Sequence, residues 1–461
     1  MLPSTSNYLL KNGRVPASLL EMKSIAPSAS TVATTGTENN FCAVDVEIAA
    51  GTIAQIIPTG TEPLFPIADI PIMDLCNGLV LPCFVDMHAH LDKGHIWERS
   101  PNPDGTFASA LETVCADAEK NWNAEDVYRR MEFGLKCSYA HGTKAIRTHI
   151  DSAGEQGTVS LGVFEALQAE WGDRLILQAV SLVSLDYFLT PAGEKLADRI
   201  AEIGGILGGV AYMNPDLGKQ LDRVFSLARE RGLNLDFHTD ETDDPESTTL
   251  LEVAKTAIRH KFSGQIICGH CCSLAVQPPD LVTQTLELVK AANIGIVSLP
   301  MCNLYLQDRL SGRTPRWRGV TLLHELKAAG IPVTVASDNC RDPFYGFGDH
   351  DVLEVFNMAV RIAHLDRPWE DWPRTVTKTP ADLMGLPNLG KIAVGLPADL
   401  ILFKARNFSE LLSRSQRDRT VLRQGIEIDT TLPDYRELDD LLQEDSAVET
   451  AAIQTKPADA G

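Results

Sequence analysis

The sequence has no continuous apolar stretch long enough to cross a membrane, and its first 14 residues show no signal-peptide pattern. A membrane-spanning helix needs about 20 apolar residues, so we expect no membrane contact and a cytoplasmic location. Positively charged residues are also few, because the chain has 41 Lys and Arg but 62 Asp and Glu, which gives a formal net charge of −21. Since such a surface repels phosphate backbones, we expect no nucleic-acid partner.

The cysteines do not form a dense pattern. Ten are spread along 461 residues, which argues against the disulfide scaffold of a small secreted protein. Cys268, Cys271 and Cys272 surround His270 and could suggest zinc, but no second cysteine pair follows at zinc-finger spacing. We therefore interpret these three residues as buried thiols.

A glycine-rich phosphate loop is also missing after the first predicted strand, which disfavours an open dinucleotide-binding sheet. Short runs of β-branched and apolar residues recur along the middle of the chain, and segments of helical periodicity separate most of them. The eight runs cover residues 80–90, 145–150, 175–182, 209–213, 233–238, 265–270, 294–299 and 332–337. This alternation predicts an α/β fold, a (β/α)₈ TIM-like barrel. An open doubly wound sheet is the alternative.

The two ends of the chain show a different pattern. Residues 1–40 are rich in Ser and Thr, and we expect much of this segment to be loop. Residues 42–57 predict a hairpin, and strand patterns return at 390–395, 399–403 and 421–425. We therefore predict a small flanking β-sandwich domain formed by residues 1–79 and 386–442, a metal-binding barrel over 80–385 and a disordered tail over 443–461.

Residues with metal-binding side chains stand where several predicted strands end. His88 and His90 are two apart on a strand, so both imidazoles point to one face, which in a barrel is the interior. His238 ends the fifth run, and Asp338 follows the eighth. Because active sites of such barrels lie at these strand ends, we predict that His88, His90, His238 and Asp338 bind a metal ion.

The fourth run indicates a single ion. Binuclear sites of this architecture often use a bridging residue there, commonly a modified lysine, and residues 210–214 contain none. A bound divalent ion lowers the pKa of water to roughly 7. Asp338 would orient this water, Glu241 could carry a proton, and His270 could stabilise negative charge or help deprotonate the water. Two alternatives stay open: Asp338 could support the ligands instead, and Glu241 could be a surface carboxylate of an acidic loop.

Six segments resemble the amidohydrolase superfamily, and within it the cytosine deaminase group. They cover residues 84–92, 147–151, 238–244, 303–309, 318–321 and 338–344. The resemblance implies Fe²⁺ or Zn²⁺ on the four ligands above, a proton shuttle at Glu241 and a catalytic histidine at His270. It also implies a homo-oligomer that uses water to release ammonia from a small aminated heterocycle.

Three positions depart from cytosine deaminase and are predicted to bind the substrate. Ser184 stands where the group has a Gln that contacts the pyrimidine, Asn339 replaces a second Asp, and Phe344 replaces a Trp. Ser184 cannot make the bidentate contact of a Gln, and losing such a contact usually changes the substrate. The resemblance predicts cytosine as the substrate. Because this contact is lost, a modified cytosine, such as 5-methylcytosine or isocytosine, is predicted as well.

Two other functions are considered. Residues 336–342 and the pair Asp92 and Lys93 are similar to N-alkylammelide hydrolases of triazine breakdown, so the alternative is hydrolysis of another C–N bond, in an N-alkylamino-triazine or a cyclic amide. Those enzymes lack the Glu that stands here at Glu241, which favours a deaminase. Lys93 could approach the metal site or pair with Asp92. A catalytically silent binding protein is the third possibility, and the intact ligands with Glu241 argue against it.

Overall fold

The residues before the barrel form six strands of a smaller β structure. The computed structural model describes residues 7–21, 41–61, 70–369, 371–415 and 418–442. The six strands are β1 (Tyr8–Pro16), β2 (Leu20–Glu21), β3 (Phe41–Ala49), β4 (Thr52–Pro58), β5 (Ile72–Asp74) and β6 (Val80–Pro82). β1 pairs antiparallel with β3 and parallel with β5, and β3 pairs antiparallel with β4.

The hairpin predicted over residues 42–57 is confirmed as β3 and β4. Ala50 and Gly51 form its turn with φ angles of 49° and 79°, as two-residue hairpin turns require. The expectation that much of residues 1–40 is loop is wrong for β1. A register shift between Leu10 and Gly13 interrupts its alternation, although most of its side chains are buried. Residues 1–6 and 22–40 lie outside the described residues.

Eight parallel strands follow and form the barrel. They are β7 (Phe84–Ala89), β8 (Thr143–Asp151), β9 (Ile176–Leu182), β10 (Leu207–Ala211), β11 (Leu235–Thr239), β12 (Ile266–His270), β13 (Ile294–Ser298) and β14 (Val333–Val335). The run predicted as one strand over residues 80–90 is divided. β6 pairs antiparallel with residues 400–402 of the small β structure, whereas β7 pairs with β8. Pro82 has no amide hydrogen to donate, which suits the end of a strand.

Backbone hydrogen bonds join the eight strands into a ring. β7 to β9 form one ladder, and β10 to β14 form a second. On one side, Ser181 N donates to Ile206 O over 3.1 Å, which links β9 to the start of β10. On the other side, Asp338 N donates to His88 O over 2.9 Å, which links the residues after β14 to β7. The predicted (β/α)₈ barrel is thereby confirmed.

Helices follow the barrel strands, and most of them cover the outside of the ring. The helices are α1 (Phe107–Asn121), α2 (Ala124–Ala140), α3 (Gly154–Trp171), α4 (Pro191–Glu202), α5 (Leu217–Arg231), α6 (Thr249–His260), α7 (Pro279–Ala291), α8 (Pro300–Leu306), α9 (Leu323–Ala328), α10 (Val352–Ala363) and α11 (Lys378–Leu383). α8 and α11 instead pack at the two ends of the ring. α5 shows why the others pack outside, because it buries Leu217, Leu221, Val224 and Ala228 at helical spacing. No helix of the described residues is long and apolar enough to span a membrane.

The C-terminal residues return to the small β structure. They form β15 (Ile392–Ala393), β16 (Leu400–Leu402), β17 (Thr420–Arg423) and β18 (Ile426–Glu427), with two short helices, α12 (Phe408–Leu412) and α13 (Asp439–Leu442). β16 pairs with β6, so the sheets β4-β3-β1-β5 and β18-β17-β16-β6 draw on both chain ends. Tyr8, Ile48, Val80 and Leu422 share their buried core. The domain boundaries stay a prediction, and residues 443–461 lie outside the described residues.

Candidate metal centre and active site

Three histidines and one aspartate converge at the C-terminal end of the barrel. β7 carries His88 and ends beside His90, β11 carries His238, and Asp338 follows β14. Their ligand atoms all lie within 4.8 Å of one another. Nε2 of His90 is 3.3 Å from Nε2 of His238 and 3.2 Å from Oδ1 of Asp338. The structure thus brings together all four predicted metal ligands.

This cluster contains polar atoms that are buried and unpaired. His88 is fully buried, and Asp338 is 1% exposed. Nε2 of His88 and Oδ2 of Asp338 have no hydrogen-bond partner among the described residues. Because each unpaired buried polar atom costs about 1–3 kcal/mol, such a concentration indicates a site for a bound group. Three imidazoles with one carboxylate suit a divalent transition metal ion.

Burial also sets the protonation of these ligands. It is the largest cause that lowers the pKa of His88, His90 and His238 well below the ordinary histidine value. The rings are therefore neutral, which is the form that binds a metal. Burial raises the pKa of Asp338 to about 8, since an ionised carboxylate is poorly stabilised in a low-dielectric interior. A divalent cation beside Asp338 would offset this cost and hold the carboxylate ionised.

The two other predicted catalytic residues lie beside this cluster. Glu241 follows β11 and His270 ends β12, so Oε1 of Glu241 lies 3.3 Å from Nδ1 of His270. Burial, together with the Asp338 carboxylate, raises the pKa of Glu241 well above its usual range. Burial lowers the pKa of His270 to about 3. The Glu241 side chain is 14% exposed, which does not fit a surface carboxylate.

Asp240 fixes the segment that carries Glu241, a role that the sequence pattern does not predict. Its backbone has a positive φ of 50°. Its carboxylate accepts hydrogen bonds from the amides of Thr249 and Leu250 over 2.7 and 2.9 Å, and from Oγ of Ser247 over 2.8 Å. These amides belong to the first turn of α6, where helix donors need such partners. The helix thereby anchors the chain next to Glu241.

Asn303 is a further residue of the site without a predicted role. It lies on α8, and its Nδ2 is 3.1 Å from Oε1 of Glu241 and 3.0 Å from Nδ1 of His270. Its only signal in the sequence is its place in one of the family-like segments. The contact depends on how α8 packs over the barrel end, which local sequence does not specify.

A cavity of about 860 Å³ opens over the cluster, and Lys93 lies in its wall. Lys93 is 4% exposed, and its Nζ lies 2.7 Å from Oδ1 of Asp151. Lys93 therefore reaches the site and is also ion-paired, but its closest carboxylate belongs to Asp151 and not to Asp92. Asp92 instead accepts a hydrogen bond from the Asp151 amide over 2.8 Å.

The three predicted substrate-binding residues all line this cavity. Ser184 donates its hydroxyl hydrogen to Asp186. Asn339 Nδ2 donates to Oδ2 of Asp342 over 2.7 Å, and the Phe344 amide donates to Oδ1 of the same residue over 2.8 Å. Asp342 is fully buried, so it holds Asn339 and Phe344 in place. Contact with a substrate stays a prediction for all three.

The cysteines near His270 are buried, as predicted. Cys268, Cys271 and Cys272 are each 0% exposed, and burial raises the pKa of their thiols. Neutral thiols are poor metal ligands and nucleophiles.

Buried polar residues continue from the metal-ligand cluster into the barrel. The ring centroids of His149 and His88 are 3.9 Å apart. Oδ1 of Asp236 lies 3.7 Å from Nε2 of His149, and Oδ2 of Asp236 lies 2.8 Å from Nη1 of Arg147. These residues come from the family-like segment 147–151 and from β11.

A parallel barrel with three histidines and an aspartate at its strand ends, beside a glutamate that can exchange protons, has the architecture of a metal-dependent hydrolase. Residues 133–425 match the amidohydrolase family. The chain belongs to this family, which confirms the resemblance found in its sequence.

Individual relatives extend the likeness over nearly the whole chain. A pterin deaminase from Rhizobium rhizogenes is 50% identical over 442 residues, which cover 95% of this chain and 98% of the relative. An N-isopropylammelide isopropyl amidohydrolase from Pseudomonas sp. strain ADP is 24% identical over 348 residues, covering 72% of this chain and 81% of the relative. The crystal structure of a 5-methylcytosine deaminase from Klebsiella pneumoniae has a TM-score of 0.76 at 24% identity, covering 93% of this chain and 98% of that one. The last comparison shows the shared fold.

Proposed function

We propose that this protein is a metal-dependent aminohydrolase that removes the exocyclic amine of a pterin and releases ammonia. The observation that carries this proposal is the 50% identity, over 95% of the chain, with a pterin deaminase. That likeness is far greater than the 24% identity with the N-isopropylammelide enzyme. It favours a pterin over the cytosine predicted from the sequence motifs.

The cavity supports a substrate larger than cytosine. A pterin has two fused rings, and the cavity volume of about 860 Å³ lies in the upper part of the range for small-molecule sites. Ser184 stands where cytosine deaminases have the longer Gln, so its short side chain leaves room for a second ring. Phe344, Tyr212 and Trp122 add aromatic surface to the wall, against which a flat heterocycle can stack.

The residues of the chain suit the proton transfers of deamination. Water adds its oxygen to the ring carbon that bears the amine, and Glu241 moves the displaced proton to the adjacent ring nitrogen. The C–N bond then breaks as the added oxygen forms a carbonyl, and the remaining proton of the added water passes to the leaving amine, which departs as ammonia. Asp338 orients the attacking water, and His270 lies beside Glu241 in the cavity wall.

The ligand cluster fits a single divalent ion, held by His88, His90, His238 and Asp338. When bound there, Fe²⁺ or Zn²⁺ would acidify a water molecule so that hydroxide is available near neutral pH. Imidazole and carboxylate ligands accept either metal.

A substrate panel tests the proposal. The enzyme, stripped with a chelator and reloaded with Zn²⁺ or Fe²⁺, is assayed for ammonia with pterin, cytosine, 5-methylcytosine and isocytosine, and for isopropylamine with N-isopropylammelide. We expect kcat/KM for pterin to exceed that for each single-ring substrate by at least about 100-fold. Faster turnover of an aminopyrimidine would instead support the cytosine-type function. Release of isopropylamine without any ammonia from pterin would support hydrolysis of another C–N bond.

A further inference from the structure

The carboxamide of Asn303 lies between the two predicted catalytic side chains. Asn303 is fully buried on α8, the short helix that follows β13. Its Nδ2 lies 3.1 Å from Oε1 of Glu241 and 3.0 Å from Nδ1 of His270. An amide nitrogen carries two hydrogens, so this side chain donates to both neighbours at once.

These contacts determine which nitrogen of the neutral His270 ring carries the proton. An amide nitrogen only donates, so its 3.0 Å contact needs Nδ1 as an acceptor, which places the ring proton on Nε2. Oε1 of Glu241 is the more distant neighbour of Nδ1, at 3.3 Å, and it already accepts from the same amide. Nε2 of His270 is buried and has no hydrogen-bond partner within the described ranges. The ring lines the cavity, and its centroid lies 5.0 Å from the ring centroid of His238. The Nε2–H group is therefore the one donor of this ring that no residue of the described ranges uses.

The opposite orientation of the amide satisfies fewer groups. It would place Oδ1 of Asn303 against both Oε1 of Glu241 and Nδ1 of His270, so each of these two atoms would have to carry a proton. It would also turn both amide hydrogens to the position of Oδ1, which is buried without a partner in the part of the chain that the structure describes. The present orientation leaves one acceptor unpaired, and the reverse leaves two donors unpaired.

We propose that Asn303 is a positioning residue that holds His270 as its Nε2–H tautomer. This inference rests on the proposed deaminase function. His270 then donates a hydrogen bond to the oxygen that adds to the substrate ring carbon, and it does not take the proton from the attacking water. That proton transfer falls to Glu241, whose carboxylate the same amide orients. A donor aimed at developing negative charge contributes about 10²–10³-fold in rate.

Nuclear magnetic resonance of the zinc-loaded enzyme with ¹⁵N-labelled histidine tests the tautomer directly. The signals of His270 are identified by their loss in His270→Gln. We expect the wild-type ring to carry its proton on Nε2. Asn303→Asp replaces the donor by an acceptor, so we expect the proton to move to Nδ1. A wild-type proton on Nδ1, or an unchanged tautomer in Asn303→Asp, would overturn the proposal.

Kinetics separate positioning from folding. With pterin as substrate, Asn303→Asp and Asn303→Ala should lower kcat by about 10²–10³-fold, with a much smaller change in KM and with unchanged metal content. Asn234→Asp is the matched control, because Asn234 precedes β11 at the opposite end of the barrel, where its Oδ1 accepts from the Gln265 amide. Wild-type kcat in both Asn303 variants would contradict the positioning role.

The pterin deaminase activity and the His270 tautomer are measured independently, so either proposal can be contradicted without the other. An enzyme that does not deaminate pterin still reports its His270 tautomer, and a tautomer opposite to the expected one leaves a measured deaminase activity intact. If Asn303→Asp does not fold, the wild-type tautomer and Asn303→Ala decide the question.

Discussion

Two pairs of buried histidines lie in this protein at nearly the same spacing but in opposite surroundings. Nε2 of His90 is 3.3 Å from Nε2 of His238, and Nε2 of His95 is 3.2 Å from Nε2 of His350. The first pair faces the cavity and has the carboxylate of Asp338 beside it. The second pair has a thiol, Cys340, as its third neighbour.

The charges around the second pair disfavour a cation. Burial lowers the pKa of His95 well below its ordinary value, and His350 and the guanidinium groups of Arg341 and Arg130 lower it further. Burial raises the pKa of the Cys340 thiol well above its ordinary value, so this group stays neutral. We therefore interpret the contact between His95 and His350 as a hydrogen bond that ties two loops. A carboxylate and access from a cavity, rather than histidine spacing, therefore distinguish the candidate metal site.

Removal of a predicted metal ligand should have the largest effect. We expect His238→Ala and Asp338→Asn to abolish deamination and to lower metal content at least about tenfold, because even a residue that merely supports a ligand is typically worth 10- to 100-fold in affinity. His350→Asn, in the second pair, should keep its metal. Metal analysis by mass spectrometry decides between them, and full occupancy in His238→Ala would contradict the ligand assignment.

Glu241→Gln should lower turnover without lowering metal content. The amide cannot exchange the proton, so we expect kcat to fall by about 10²–10⁴-fold. The four ligands are untouched, so metal content should equal that of the wild type. Steady-state kinetics with metal analysis of the same preparation measure both. Near-normal turnover would remove Glu241 from the proton-carrying role.

Strand geometry explains which residues of this site could be predicted from the sequence. His88 and His90 share a face because strands alternate, and Asp338 could be placed because parallel strands end at one rim. The same logic located the eight strands. Oligomeric state and location have no such geometric signal and stay predictions.

The contacts that orient the site depend on packing between distant segments. Asn303 reaches Glu241 and His270 because α8 folds back over the rim, and Asp342 holds Asn339 through the loop after β14. Arg147 meets Asp236 across 89 residues of chain. Periodicity carries no information about such pairs, so local patterns predict the ligands and miss the residues that hold them.

In metal-free protein, substitutions in the two histidine pairs should lower the free energy of unfolding by different amounts. His350→Ala leaves Nε2 of His95 buried without its partner, so we expect a loss of about 1–3 kcal/mol in the free energy of unfolding. In metal-free protein, His238→Ala leaves Nε2 of His90 with a second neighbour, Oδ1 of Asp338 at 3.2 Å, and should cost less. Urea denaturation of both variants measures the difference. An equal or larger loss in His238→Ala would mean that the cluster is internally satisfied without a metal.

The pH dependence of stability should give the smallest effect. Burial lowers the pKa of His350 to about 4, although Asp349 opposes the shift, whereas an unfolded histidine titrates near 6.5. Between these values the unfolded chain binds a proton that the folded chain does not, so stability is lost as pH falls below about 6.5. His350→Asn removes this titration and should reduce the loss between pH 7 and pH 5.5 by about 1 kcal/mol. Urea denaturation of the metal-loaded wild type and variant at both pH values measures this change, since the metal ligands are common to the two proteins. Equal pH slopes would mean that His350 is protonated in the folded protein, and the second pair would then not be the neutral hydrogen bond described above.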